Sequence, residues 1–267
     1  MIKIHNTDEL NYLCANILKI QSKYNEAINH YKKAIRLNNN FSEAYNNLAN
    51  TQKIIGDNKN SKYNYIQAIK SDKSNLGAFF NLANLYRSEK KFEEAIHNYK
   101  KVLELNPKFI DSMNNIGSIN LILGNFENGL KYFKEAIEID KFNSESYYNY
   151  VSAKKISEND EIFIKLKFLV EKEKSPEVQN FKMYFSLSKS YFDINNKDLA
   201  FKYLNLASKF KLKEIENSYK KQSRDFKQIK EYFKIGKKNI EVSRNFNTTP
   251  IFILGMPRSG TSLIEQI

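Results

Sequence analysis

The chain has 267 residues, 41% of them hydrophobic and 27% charged, and a net charge of +13. Seventeen Tyr and 19 Phe exclude disordered chains, and only eight Gly and four Pro exclude a collagen-like chain and disfavour a turn-rich all-β fold. A single cysteine, Cys14, excludes an internal disulfide and a Cys-rich zinc site, so no oxidising compartment is needed.

The first residues carry no apolar run of signal-peptide length, and nowhere do about 18 apolar residues follow one another. A cytoplasmic protein without a membrane span is expected. Only five of the 43 basic residues are Arg, whereas recognition of phosphates and bases recruits guanidinium forks. Nucleic acid is therefore disfavoured as a partner, and the positive charge reads as a general Lys bias.

From residue 8 onwards the chain repeats with a period of 34. Ala44-Tyr45-Asn46-Asn47-Leu48-Ala49-Asn50, Ala78-Phe79-Phe80-Asn81-Leu82-Ala83-Asn84 and Ser112-Met113-Asn114-Asn115-Ile116-Gly117-Ser118 align on that period. A second block follows each, as in Phe92-Glu93-Glu94-Ala95-Ile96-His97-Asn98-Tyr99. Apolar residues recur every three or four positions within each block, which is the helical period. Small residues recur where paired helices must approach: Ala15, Ala49, Ala83 and Gly117 in the first helix, Ala34, Ala68 and Ala136 in the second. Gly56 and Gly124 stand where a first helix must end in the left-handed region. No helix pair can bury its stripe alone, so the pairs must stack.

These residues resemble the tetratricopeptide repeat. The stretch 76–109 carries its key columns at Phe79, Leu82, Ala83, Tyr86, Phe92, Ala95, Tyr99 and Pro107. The resemblance implies an all-α superhelical solenoid over 8–214, with repeats near 8–41, 42–75, 76–109, 110–143, 144–177 and 181–214. The grid slips by three residues around Ser175-Pro176.

In such stacks the first helices line the concave face. Two columns of carboxamides fall there: Asn47, Asn81, Asn115 and Asn149, and beside them Asn16, Asn50 and Asn84, continued by Ser118 and Ser152. A carboxamide both donates and accepts, so a ladder of them can hold an extended polypeptide by its backbone. The pattern resembles the asparagine ladder in the repeats of O-GlcNAc transferase, which implies a polypeptide substrate or partner. Asn is also abundant throughout the chain, so composition alone is the competing explanation. His5, His30 and His97 lack partners at metal-ligand spacing; no metal is expected, and His30 and His97 read as exposed side chains on second helices. Cys14 falls among the small packing residues and is expected in the core.

Between Lys197 and Arg244 lie 14 basic and six acidic residues. Tyr219, Phe226, Ile229 and Phe233 have helical spacing, so a separate basic helix capping the solenoid is expected within 215–247. It reads as a solvated face or as a positive funnel for an anion.

The last 20 residues differ in character. Ile251-Phe252-Ile253-Leu254 reads as a buried strand, followed by Gly255-Met256-Pro257-Arg258-Ser259-Gly260-Thr261-Ser262 and a helical start at Leu263. Strand, Gly-flanked loop and helix N-terminus suit phosphate binding. Thr261 stands where a nucleoside-triphosphate loop carries Lys, which excludes an ordinary ATPase or GTPase.

The string from Pro250 to Ile267 resembles the 5′-phosphosulfate loop of sulfotransferases, above all the bacterial type with tetratricopeptide repeats in front, related to protein-tyrosine sulfotransferases. The resemblance implies a P-loop-like α/β domain beginning at 248. It implies sulfuryl transfer from 3′-phosphoadenosine 5′-phosphosulfate to an acceptor hydroxyl. Ser259, Gly260, Thr261 and Ser262 would hold the 5′-phosphosulfate, and Arg258 would bind it and offset charge on the bridging oxygen. Residues 248–267 cover only the start of such a domain, so the 267-residue chain is expected to be inactive by itself. The alternative is a non-catalytic scaffold for protein–protein interaction.

Overall fold

The structure is a computed structural model and describes residues 7–173 and 180–236. Among the described residues every regular element is helical. The first four pairs are α1 (Asp8–Ile20) with α2 (Tyr24–Leu37), α3 (Ser42–Ile54) with α4 (Asn58–Ser71), α5 (Leu76–Ser88) with α6 (Phe92–Leu105), and α7 (Ile110–Ile122) with α8 (Phe126–Ile139). A shorter α9 (Ser144–Ala153) follows, then α10 (Glu161–Phe168) with a π-turn over Leu169–Glu173, α11 (Phe181–Asp193) and α12 (Lys197–Gly236). The chain divides into a compact unit over Met1–Lys213 and a second over Glu214–Ile267.

The period shows in the caps. Ser22, Gly56, Lys90 and Gly124 occupy one column, and all four have positive φ, between 59° and 82°. The next amide then reaches back over the helix end: Lys23 N–H donates to Leu18 O, Asp57 to Gln52 O, Lys91 to Tyr86 O and Asn125 to Asn120 O, all within 2.8–2.9 Å. This closes the terminal carbonyls and turns the chain into the second helix. Asn195, at φ 64°, makes the same turn between α11 and α12, where Asn196 N–H donates to Tyr191 O.

Only two of the four column members are Gly, so Ser22 and Lys90 carry a left-handed cost of about 1–2 kcal/mol. Lys90→Gly is expected to stabilise the fold by about 1 kcal/mol, after the extra chain entropy of Gly. Gly56→Ala should destabilise it comparably, because open space surrounds Gly56 and only its backbone objects. Urea midpoints of the two variants check the pair, which must move in opposite directions.

The core fills each pair and continues into the next. Ala15, Ala27, Ile28 and Tyr31 pack with Leu48 of the next first helix. Ala49 and Tyr65 pack with Leu82 and Leu85, and Ala83, Ala95 and Tyr99 with Ile116 and Ile119. Each pair buries its apolar stripe on the next, which is the physics of a solenoid. A last, larger cluster joins Phe133, Tyr147, Tyr150, Val151, Phe163, Leu166, Leu187, Tyr191, Ala200 and Tyr203.

The fifth pair departs from the pattern. α9 stops at Ala153, and the link to α10 is held by a buried carboxylate, Asp160. Its Oδ1 accepts from Ile162 N–H (3.0 Å) and Phe163 N–H (3.3 Å), capping α10. Its Oδ2 accepts from Lys154 Nζ (2.8 Å) and the Tyr150 hydroxyl (3.2 Å). The link is tied to α11 through Ile156 N–H, which donates to Asp193 Oδ2 at 2.9 Å.

Three expectations need correction. The helix expected within 215–247 does not begin as an element of its own, since α12 runs over Lys197–Gly236. No Gly or Pro stands between those two residues to stop it. Cys14 is half-buried rather than core, at the edge of the buried face that Asn11 and Ala15 form. His30 is not a free surface side chain: its Nδ1 lies 3.1 Å from Asn11 Oδ1 across the first pair. The strand expected at Ile251–Leu254 lies outside the described residues.

Candidate functional site

Helical geometry places residues three and four apart on one stripe. On α1 this stripe is Glu9, Tyr12, Leu13, Asn16, Lys19 and Ile20; on α3 it is Glu43, Asn46, Asn47, Asn50, Lys53 and Ile54. On α5 it is Gly77, Phe80, Asn81, Asn84, Arg87 and Ser88, and on α7 Asp111, Asn114, Asn115, Ser118, Leu121 and Ile122. Successive first helices touch along these stripes, α1 with α3 and α3 with α5.

Asn47, Asn81 and Asn115 are half-buried and face these seams. Asn47 Nδ2 donates to the Tyr12 hydroxyl (2.9 Å) and Asn16 Oδ1 (3.2 Å). Asn81 Nδ2 donates to Asn46 Oδ1 at 3.0 Å. Asn115 Oδ1 accepts from Arg87 Nη1 at 2.5 Å. Asn149, on α9, is likewise half-buried. The file therefore stitches each first helix to the one before it, and each amide retains polar atoms beyond that stitch.

The other file has a different partner. Asn16 Oδ1 accepts from the Tyr31 hydroxyl, Asn50 Oδ1 from Tyr65 and Asn84 Oδ1 from Tyr99, each at 2.6 Å. Burial pushes all three hydroxyls up to about 12, so each stays protonated and donates. Their rings are fully buried, and the carboxamide satisfies the one polar atom each carries. Asn16, Asn50 and Asn84 are thus clasps within a pair; Asn16 Oδ1 also accepts from Asn47, whereas Asn50 and Asn84 each spend one lone pair of the carbonyl on the clasp.

The clasp is legible in the sequence as two paired columns. Tyr31, Tyr65, Tyr99 and Phe133 share one column, Asn16, Asn50, Asn84 and Ser118 another. In the fourth pair both columns change together, so the acceptor disappears where the donor does. Ser118 Oγ turns to its own helix instead and donates to Asn114 O at 2.8 Å.

Three cations also share a column, Lys19, Lys53 and Arg87, at the carboxyl ends of α1, α3 and α5. Among the described residues none forms an ion pair. Burial, and then the neighbouring Arg87 guanidinium, hold the Lys53 ammonium below its ordinary value. Acidic residues stand at the opposite ends of the stripes: Glu9, Glu43 and Asp111, all exposed.

Among the described residues no group of His, Cys, Asp and Glu could hold a metal ion, and no helix is long and apolar enough to cross a membrane. Arg258, Ser259, Gly260, Thr261 and Ser262, expected to bind the phosphosulfate, lie outside the described residues.

Stacked helix pairs with this period, small-residue columns and left-handed first caps define an α-solenoid. These are tetratricopeptide repeats: tetratricopeptide-repeat family models match 15–56, 42–75, 77–109 and 110–143. No curated protein matches the chain. Among solved structures, PilF of Pseudomonas aeruginosa is similar at a TM-score of 0.57 with 14% identity, covering 73% of this chain and 88% of that one. YrrB, described as a tetratricopeptide-repeat protein with an unusual peptide-binding site, is similar at 0.50 with 19% identity, covering 72% of this chain and 97% of its own. At these identities the likeness establishes the fold alone.

Proposed function

We propose that the repeat stack is a polypeptide-binding scaffold whose first-helix face holds an extended segment of a protein partner. The observation that carries this reading is the file Asn47, Asn81 and Asn115: three half-buried carboxamides in register on adjoining helices, each with hydrogen-bonding capacity left after its stitch. Backbone amides of an extended chain are the natural complement to such a file. YrrB has a peptide-binding site on repeats of this kind; the reading here rests on this chain's own amides.

Replacing Asn47, Asn81 and Asn115 together with Ala is expected to weaken capture of extended peptides about tenfold or more. Because these amides also stitch the helices through four hydrogen bonds, the triple variant should lose about 2–6 kcal/mol of stability as well, at about 0.5–1.5 kcal/mol per net hydrogen bond. Peptide affinity measured well below the melting temperature separates the two effects. Undiminished affinity would sink the reading.

A second reading, supported by the string Pro250–Ile267, makes this scaffold the front of a sulfotransferase using 3′-phosphoadenosine 5′-phosphosulfate. Arg258 would be its anion-binding cation, with Ser259, Gly260, Thr261 and Ser262 supplying the loop. Its check is binding of adenosine 3′,5′-bisphosphate by a chain in which a sulfotransferase domain follows residue 267, and loss of transfer in Arg258→Ala. A domain of that kind that bound no such nucleotide would rule this reading out.

A further inference from the structure

The three cations of the first-helix face have no anion to meet within the described chain. Lys19, Lys53 and Arg87 recur at a spacing of 34 residues, each three positions after a clasped Asn. Helix dipoles favour a cation in the last turn, but any side of that turn would serve. Here all three choose the stripe along which the first helices meet. Arg87 spends one guanidinium nitrogen on the neutral Asn115 amide, and it raises the electrostatic cost of charging Lys53 beside it. A row of like charges without a carboxylate partner, Lys53 partly desolvated within it and Arg87 exposed beside it, is a cost that an incoming anion removes.

The surroundings narrow the anion. Ile20 and Ile54 lie beside Lys19 and Lys53 and are 82% and 55% exposed. They would be covered by apolar side chains, which a polynucleotide backbone does not offer. The exposed Glu9 and Glu43, at the other ends of the same stripes, would repel a uniform polyanion. Packed helices stand about 8–10 Å apart, and a chain extended as a polyproline II helix advances about 3.1 Å per residue with three residues per turn, so that every third side chain faces the same way. One step from cation to cation thus matches three residues of extended polypeptide.

We infer that the first three repeats recognise an extended acidic segment of a partner protein, with a carboxylate at every third residue and apolar side chains between. Lys19, Lys53 and Arg87 take one carboxylate each, while the Asn47 and Asn81 amides engage the intervening backbone. The inference rests on the polypeptide-binding reading above and adds the charge and register of the partner.

The test uses the full 267-residue chain and four fluorescent probes read by anisotropy. They are a twelve-residue peptide with Asp at every third position and Ile or Ser between, its Asn-for-Asp analogue, an isomer with its acids clustered at one end, and a twelve-nucleotide oligothymidylate. The spaced acidic peptide is expected to bind about tenfold or more tightly than the neutral and clustered peptides, with affinity falling as salt rises. Lys53→Gln/Arg87→Gln should remove that advantage. Lys33→Gln/Lys100→Gln, on exposed second-helix positions, carries the same charge change and should retain it. Circular dichroism of both variants confirms folding. If the neutral peptide binds as well as the acidic one, the inference fails while the scaffold reading stands. If no peptide binds, the scaffold reading itself fails. Tighter binding of the oligonucleotide, lost in the same double variant, would overturn the inference in favour of nucleic acid.

Discussion

Asp160→Ala is expected to destabilise the repeat unit by about 2–4 kcal/mol. The carboxylate is 7% exposed and makes four hydrogen bonds, two to the first amides of α10 and two to Lys154 and Tyr150. Losing an N-cap costs about 0.5–2 kcal/mol. Breaking a buried ion pair from one side costs about 3–5 kcal/mol, discounted here because the Lys154 side chain remains 35% exposed. For a unit of this size the melting temperature should fall by about 5–15 °C. A fall of a degree or less would show that the α9–α10 link is not pinned by this residue.

The same carboxylate sets a pH signature. Burial pushes its pKa up, but the hydrogen bonds from Lys154 and the amides of Phe163 and Ile162, with the Lys154 charge, outweigh burial, and the net shift is downward. A group depressed in the folded state contributes stability above its unfolded value of about 3.9 and loses it as pH falls through the folded value. Asp160→Asn keeps the side-chain shape without the charge. The stability gap between parent and Asp160→Asn should therefore be full near neutrality and should close below about pH 4. A gap that persists unchanged at low pH would contradict a charged Asp160.

Gly117→Ala carries the second large effect. A Cβ at Gly117 would stand 2.5 Å from Phe133 Cε1 and 2.9 Å from its Cδ1 and Cζ, and that ring is fully buried. The helix gains about 1 kcal/mol from Gly to Ala, but overpacking costs about 1–3 kcal/mol and the ring has nowhere to move. A net loss of about 1–2 kcal/mol in chemical denaturation is the expected result. The equivalent positions Ala15, Ala49 and Ala83 tolerate their methyl groups while packed against a tyrosine. There the ring is anchored by its hydroxyl on Asn16, Asn50 or Asn84; Phe133 has no hydroxyl and settles over Gly117. Gly117→Ala/Ser118→Asn/Phe133→Tyr rebuilds the arrangement of the first three pairs and should recover the loss. A triple variant less stable than Gly117→Ala alone would refute the anchoring argument.

What the sequence by itself determined is the helical repeat. Its period, the paired helices and the small-residue columns are written in spacings of three, four and 34 residues, and helix formation and capping depend on neighbours that close in the chain. Even the left-handed column was half visible, through Gly56 and Gly124; Ser22 and Lys90 take the same φ because the turn into the second helix requires it. The tertiary structure alone decided which polar groups remain for a partner. Asn47 and Asn50 lie one helical turn apart and look alike in sequence, yet one stitches two pairs along the open face and the other clasps a buried tyrosine 15 residues away. That choice rests on which side of α3 meets α1 and which meets α4. A satisfied carboxamide differs from an available one only by the atom placed opposite it, and that atom comes from another helix. The same holds for Lys53 and Arg87, whose unpaired state follows from the absence of any carboxylate facing them among the described residues, and not from their identity as cations.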